Sequence, residues 1–212
     1  MTISLLVLAN SKKSGGRCLA GLNLATGEWI RPVTAQRIGE IPTQLTVRDD
    51  AQSQLRPLDV ISLELLEKQQ MPHQDENFRF VETSLGFSHA SDLQDHIPIL
   101  RSKCQAIPWF LEAPEKTVEP AYYEKGDANR ESLALLELTD LVIHETDWGS
   151  RRISFVFNSI SWELPMTDDY FPQETVEIPH AFICLSVGEP YARPGSDSLL
   201  HYKLVAGVIP IS

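Results

Sequence analysis

The residues best suited to bind an anion are concentrated near the start of the chain. Lys12, Lys13 and Arg17 flank Gly15 and Gly16 in the segment SKKSGGR. Glycines let backbone N–H groups approach a phosphate closely, and an arginine can add a bidentate contact. The segment lacks the GxxxxGK[ST] pattern of a P-loop. The alternative is a hairpin loop whose lysines only keep the surface hydrated.

The distribution of charge supports an anion site in this region. The 212-residue chain has a net charge of −11, yet residues 1–37 carry five basic side chains and one acidic side chain. Residues 38–130 carry nine basic and sixteen acidic side chains, and residues 131–212 carry four and twelve. Acidic flanks disfavour a long polyanion. We therefore expect a nucleotide or a few nucleotides as ligand, not a duplex lying across the surface.

Two residues of the same segment have the chemistry to hold a base. Trp29 and Arg31 are two positions apart in the strand-like run WIRPV, so their side chains share one face of the strand. An aromatic ring beside a guanidinium group suits base stacking. The alternative is that Trp29 packs in a core and Arg31 pairs with Glu28 or a more distant acid. For Trp29 alone, core packing is the favoured interpretation.

Three later residues complete the predicted ligand site. Ser186 and Glu189 lie where an apolar strand ends in a loop rich in proline and glycine, and they either line a ligand pocket or form the bend. Lys203 interrupts an apolar strand and must reach solvent or pair inside the protein. The adjacent Asp168 and Asp169 are interpreted as turn-capping residues, since two carboxylates are a poor metal site.

The sequence offers little support for catalysis, for a metal or for a membrane. The six histidines form no HExxH pattern, no GxSxG segment occurs, and the three cysteines are widely spaced. We therefore predict no catalytic residues, no metal site and no cofactor. The apolar run at residues 3–9 is too short to span a bilayer and lacks the features of a signal peptide. We expect a cytoplasmic protein with no membrane partner.

Alternating apolar residues predict two β-rich halves. We expect one half over residues 1–85, a short mixed helix and loop connector over 86–130, and a second half over 131–212. About five strands in each half suit two small OB-like β-barrels, so the fold class is mainly β. The predicted strands are 3–9, 17–24, 29–33, 58–66 and 78–83, then 133–144, 153–162, 181–187 and 201–209.

Three segments resemble a known protein family. GGRCLAGLNLATGEWIRPV at residues 15–33, WELPMTDDYF at 162–171 and AFICLSVGEPYARPGSDSLLHYKLVAGVI at 181–209 are similar to parts of a bacterial family with a dual OB-containing domain. The resemblance implies two OB-like barrels and a role in binding nucleic acid or a nucleotide. It implies no chemistry.

The sequence therefore favours a non-enzymatic module that binds a short nucleic-acid segment or a nucleotide, with the hairpin of residues 11–33 as its basic contact region. Two alternatives remain open at this point. One is a module that docks protein partners without binding nucleic acid, and the other is a small nucleotide-processing enzyme. Salt-dependent affinity for oligonucleotides distinguishes the binding module from the docking module.

Overall fold

The computed structural model describes residues 1–13, 15–36, 39–48, 53–69, 71, 73–104, 107–112, 114–124, 132–171, 174–193, 195 and 197–211. Within these residues the chain is mainly β, as predicted. Its elements, in chain order, are β1 (Thr2–Lys13), β2 (Gly16–Asn23), β3 (Trp29–Val33), β4 (Asp59–Lys68), β5 (Asn77–Phe80), β6 (Gly86–Ala90), α1 (Leu93–Lys103), β7 (Thr117–Val118), α2 (Ala121–Glu124), β8 (Leu133–Glu145), β9 (Arg151–Phe157), β10 (Ile160–Pro165), β11 (Val176–Tyr191) and β12 (Leu200–Pro210).

The first half forms a closed five-stranded barrel. Its strands are ordered β1-β2-β3-β5-β4, and β4 pairs with β1 to close the ring. β3 and β5 run parallel, whereas the other neighbours in the ring are antiparallel. Alternation of apolar residues places one face of each strand inside, where Ile3, Leu19, Ile30, Ile61 and Phe80 form part of the core.

The second half repeats this connectivity. β8 pairs with both β9 and β11, β9 pairs with β10, and β11 pairs with β12, so that β8 to β12 correspond to β1 to β5. The sheet curls into a half-barrel, and a parallel bridge between Met166 and Val205 links the end of β10 to β12. The two halves are thus both OB-like, as predicted.

One predicted strand is wrong. Residues 153–162 are not a single strand, because β9 ends at Phe157 and β10 begins at Ile160. Asn158 and Ser159 between them have φ values of 52° and 62°. Two successive residues with positive φ make the tight turn of a β-hairpin, and asparagine tolerates that conformation.

The connector contains more structure than the sequence predicts. β6 extends the first sheet by pairing with β4, and β7 pairs with β12 at the edge of the second sheet. Its longer helix is α1, which begins after Asp92. The Asp92 side chain caps this helix by accepting a hydrogen bond from the backbone N–H of Gln94. The division of the chain at residues 85 and 130 stays a prediction.

An apolar layer joins the two barrels. Besides the interior of each barrel, a third cluster combines residues of both halves with Leu100 of α1. The first barrel contributes Leu6, Leu8, Ala20, Leu22 and Trp29, and the second contributes Leu133, Leu135, Phe182, Cys184, Ala206 and Ile209.

Backbones also approach closely where β1 meets β12. A Cβ atom at Gly207 would lie 2.0 Å from the carbonyl oxygen of Leu8, so only glycine fits at this crossing. We call the line along which β1 and the segment 166–170 meet the seam. β1 forms an antiparallel bridge from Ser11 to Asp168 there, and the Lys12 N–H donates to the Thr167 carbonyl at 3.1 Å.

Candidate nucleic-acid interface

The fold brings the three segments 15–33, 162–171 and 181–209 together. Arg17 of the first lies 2.8 Å from Asp169 of the second, through its Nη1 and the Oδ1 of the aspartate. Arg31 of the first donates to the Ser186 hydroxyl of the third at 3.2 Å. Asp168 accepts a hydrogen bond from the backbone N–H of Val208 at 3.1 Å. Residues that are far apart in sequence therefore form one polar region between the barrels.

Arg31 lies at the buried centre of this region. Its Nη2 atom lies 2.9 Å from Glu76 Oε1 and 2.8 Å from the hydroxyl of Ser132. Ser132 in turn hydrogen-bonds the Glu76 carboxylate through its hydroxyl. Arg31 and Glu76 are 3% and 4% exposed. The ion pair lies within the first half of the chain, and the hydrogen bonds of Arg31 to Ser132 and Ser186 connect it to the second half. Removing one partner of the pair would leave the other charge buried and uncompensated.

Glu189 extends the network towards the surface. One of its carboxylate oxygens lies 2.8 Å from Nε2 of His73, and the other lies 3.7 Å from Nζ of Lys13. The Gln74 side chain, oriented to satisfy both ends of its amide, bridges Arg31 and Glu189. Burial alone would raise the pKa of Glu189, but the contact with His73 and the charges of Lys13 and Arg31 hold that pKa below its usual value. Glu189 is therefore an ionised partner for these cations.

The face predicted to stack a base is not accessible. Trp29 packs in the apolar layer between the barrels, in agreement with the core packing favoured for this residue from the sequence. Arg31 is on the same face and is equally buried, and its partner is the distant Glu76 and not Glu28. The physical reason is that α1 and the second barrel cover this side of β2 and β3. Trp29 and Arg31 hence join the barrels and do not offer an open platform.

The hairpin cations are paired with acids from the second half of the chain. Asp169 lies 2.8 Å from Arg17 and 3.5 Å from the more exposed Lys12. Gly15 has a φ of +87°, and a Cβ on Gly16 would lie 2.4 Å from the carbonyl oxygen of Ile41. Gly15 thus meets the conformational requirement of the turn, and Gly16 leaves room for the backbone of Ile41. The excess of positive charge in residues 1–37 is reduced by these contacts.

Asp168 caps a turn, as predicted. Its Oδ1 accepts from the backbone N–H of Tyr170 at 2.9 Å, and its Oδ2 accepts from Val208. Burial raises the pKa of the Asp168 carboxyl to about 6, although these hydrogen bonds oppose the increase. This side chain therefore changes its charge within two pH units of neutrality, beside the paired Arg17 and Asp169.

A cavity of about 390 Å³ opens at the seam. Its volume lies in the range of small-molecule sites. Asn10, Arg17, Arg56, Asp168, Asp169 and Tyr170 line it, together with Ser53, Gln54, Leu55 and Pro57. A second cavity of about 250 Å³ shares Arg56, Pro57 and Tyr170 with it.

Arg56 and Tyr170 form a platform at the mouth of the seam cavity. The guanidinium carbon of Arg56 lies 4.5 Å from the centre of the Tyr170 ring, and its Nη1 donates to the Tyr170 hydroxyl at 3.3 Å. Tyr170 is 53% exposed. No described carboxylate pairs with the Arg56 guanidinium. An exposed aromatic ring next to a guanidinium group is the arrangement for base stacking that the sequence predicted for Trp29 and Arg31.

Lys203 lies elsewhere, inside the second barrel. Its Nζ is 5.1 Å from the centre of the Trp162 ring, and the residue is 1% exposed. Burial lowers the pKa of its ammonium group to about 8. The sequence left open whether this lysine reaches solvent or stays inside the protein, and the structure shows that it stays inside.

Another cavity, of about 400 Å³, lies beside Trp29 and is less suited to an anion. Its charged lining residues are Lys68 and Lys103 against Glu28, Asp75 and Glu76. The excess of carboxylates disfavours a phosphate. In the described part of the chain, no group of three or more histidine, cysteine, aspartate or glutamate side chains is placed to hold a metal ion. None of the described helices is long and apolar enough to cross a membrane.

Sequence reasoning missed four residues that the structure makes prominent. Asn10 and Arg56 belong to no sequence motif, and Tyr170 stands out only as a member of the segment 162–171 that resembles the family. Trp148 is 93% exposed at the tip of the β8–β9 hairpin, between two predicted strands. One sequence signal could have identified Trp148. It is a large aromatic residue next to a glycine in a turn, where core packing does not call for such a side chain.

Two OB-like barrels of equal connectivity, joined through an apolar layer and a polar network, define the chain as a tandem OB-fold protein. It belongs to the family described as dual OB-containing domain, whose model matches residues 3–208. No curated protein matches the sequence. Among solved structures, the chain is similar to the Ifi202 HINa domain, determined in complex with 20-bp double-stranded DNA. That match covers 100% of this chain and 97% of the other at 10% identity, with a TM-score of 0.37, and does not bear on what this chain binds.

Proposed function

We propose that the protein is a binding module that holds a short single-stranded nucleic-acid segment, or a nucleotide, at the seam between its barrels. The observation that carries the proposal is the platform of Arg56 and Tyr170, an exposed ring with an adjacent guanidinium at the mouth of a cavity of about 390 Å³. Stacking of a base on an aromatic side chain contributes roughly 1–3 kcal/mol. The ring would hold the base, and Arg56 would contact a neighbouring phosphate.

The segment 11–33 contributes to this site beside the turn between β1 and β2. Arg17 lines the cavity, and Lys12, its neighbour across the two strands, has a side chain that is 72% exposed and lies 3.5 Å from Asp169 of the cavity lining. Both remain within reach of a phosphate at the seam, although Asp169 already pairs with them. The acids at 168 and 169 prevent a continuous basic track, so the footprint is short.

Fluorescence anisotropy with a labelled five-nucleotide single strand tests the proposal. We expect Tyr170→Ala to weaken binding by roughly tenfold, since a stacking contact is lost. Arg56→Ala should weaken binding and reduce the slope of log K against log salt by about 0.7, the value for one phosphate contact in a single strand. Trp148→Ala is the matched control, since it removes an exposed aromatic residue that does not line the seam cavity.

Three results would contradict the proposal. They are unchanged affinity in Tyr170→Ala, loss of binding in Trp148→Ala only, and tighter binding to a long duplex than to the five-nucleotide strand at physiological salt. The last result would show that the acidic flanks do not limit the footprint.

A module that docks a protein is the second candidate, and Trp148 favours it. This residue lies at one end of the outer face of β8 to β10, on which Val156 is 61% exposed. Exposed apolar residues of this kind occur at protein interfaces. If no oligonucleotide binds and Trp148→Ala abolishes self-association in analytical ultracentrifugation, the docking function is correct and the nucleic-acid function is wrong.

A further inference from the structure

One buried polar group in the lining of the seam cavity is an acceptor without a donor. Asn10 is 5% exposed and lines the cavity. Its Nδ2 atom donates to the backbone carbonyl of Leu55 at 2.8 Å, which fixes the orientation of the amide. Its Oδ1 atom is buried and has no hydrogen-bond partner among the described residues. A buried acceptor in this state is costly, and a ligand that supplies a donor removes that cost.

The cavity lining presents both acceptors and donors. Asn10 and Asp168 are 5% and 3% exposed and present oxygen atoms, of which those of Asp168 already accept from backbone N–H groups. The guanidinium groups of Arg17 and Arg56 present donors, and Arg17 is 7% exposed. A ligand complementary to this lining has a donor for the Asn10 oxygen and an acceptor or negative charge for the guanidinium groups. A nucleotide with an amino group on its base has this polarity.

We propose that the seam cavity selects nucleobases that carry an exocyclic amino group, with Asn10 Oδ1 as the acceptor for that group. This inference rests on the proposed function. Adenine, cytosine and guanine meet this criterion, and adenine and cytosine have close counterparts that lack the amino group. Hypoxanthine and uracil place a carbonyl oxygen where adenine and cytosine have the amino group, so an oxygen would face the Asn10 oxygen. A site built to accept from an N–H group discriminates against a ligand that lacks it.

The test compares matched pairs of five-nucleotide deoxy strands on the wild-type protein by fluorescence anisotropy. The pairs are oligo-deoxyadenosine with oligo-deoxyinosine, and oligo-deoxycytidine with oligo-deoxyuridine. In each pair the amino group is replaced by an oxygen. We expect the amino-bearing strand to bind about tenfold more tightly in both pairs.

A variant then assigns the preference to Asn10. In Asn10→Leu, which keeps a side chain of similar size, we expect the ratio within each pair to fall to about one. Asn77→Leu is the matched control, since Asn77 is another buried asparagine of the first barrel with an unpartnered Oδ1 and does not line the seam cavity. The control should retain the preference. If Asn10→Leu does not fold, as judged by circular dichroism, the wild-type ratios alone decide.

The outcomes separate this inference from the function on which it rests. Equal affinities within both pairs, with Tyr170→Ala still weakening binding, would overturn the base preference and leave the binding function intact. Tighter binding of the inosine and uridine strands would likewise overturn it. Binding of none of the four strands would overturn both proposals.

Discussion

The two barrels have the same strand connectivity but use the same face differently. In the first barrel, all five residues of β3 are buried, and the outer face of β2 and β3 carries Trp29 and Arg31. In the second barrel, the corresponding strand β10 alternates between buried and more exposed residues, and its outer face is open. Ser161 and Glu163 on that face are at least partly exposed.

This difference shows that strand order does not decide which surface is available. In OB-folds, the second and third strands with their adjoining loops commonly bind ligands. In this protein the first barrel uses that face to pack on α1 and the second barrel. The proposed function accordingly places ligand binding at the seam, where a loop of the first barrel supplies Arg56 and the segment after β10 supplies Tyr170.

The largest expected difference concerns charged residues on the two faces. Arg31→Ala should lower the free energy of unfolding by about 3–5 kcal/mol, because it leaves the Glu76 carboxylate buried without its partner. Glu163→Ala, on the corresponding face of the second barrel, removes a half-exposed contact with Lys116 at 3.6 Å. Its effect should be at most about 1 kcal/mol.

Urea denaturation followed by circular dichroism measures both values. The combination Arg31→Met with Glu76→Gln should recover part of the lost stability, since no uncompensated charge remains. Equal effects of Arg31→Ala and Glu163→Ala would show that the two faces do not differ in the way described.

Two tryptophans give a similar contrast without charge. Trp29→Ala should destabilise the protein by about 3–5 kcal/mol, because a ring buried between the barrels is removed. Trp148→Ala should change stability by no more than about 0.5 kcal/mol, because the ring is almost fully exposed. Thermal unfolding monitored by circular dichroism decides, and a large loss of stability in Trp148→Ala would place that ring in an interface.

The sequence predicts the fold class because the relevant signals are local. The apolar run at 3–9 predicts β1 and the strand-like pattern at 133–144 predicts β8, and these strands are confirmed. The short β6 and β7 carry too few residues for a periodic pattern. The turn at Asn158 and Ser159 was missed because it contains no glycine.

The site depends on contacts that the sequence does not encode locally. Arg31 meets partners 45, 101 and 155 positions away, so neither its burial nor its role could be read from neighbouring residues. The net charge of the region could not be predicted locally either. Basic side chains of residues 1–37 pair with Asp169 and Glu189 from the second half of the chain. Arg56 and Tyr170 are 114 positions apart.

The smallest expected effect is a pH dependence at the seam. The pKa of Asp168 is raised to about 6, so its carboxyl is mostly neutral at pH 5 and mostly charged at pH 7.5. The charged groups nearby are Asp169, Arg151, Arg17 and Lys12, and the pKa of Asp169 is held below its usual value by the last two. A five-nucleotide strand should therefore bind roughly threefold more tightly at pH 5 than at pH 7.5.

Asp168→Asn separates this effect from the titration of histidines elsewhere. The variant should bind with an affinity that changes less between the two pH values, as measured by anisotropy at constant ionic strength. An unchanged pH dependence in Asp168→Asn would show that another group is responsible.

The location of the ligand is tested most directly by NMR chemical-shift mapping with the amino-bearing five-nucleotide strand. The account predicts that the largest backbone amide shifts occur at Asn10, Arg17, Arg56, Asp168 and Tyr170, while the indole N–H signal of Trp148 stays in place. Shifts confined to β9, β10 and Trp148 would contradict it, because the ligand would then lie on the open face of the second barrel and not at the seam.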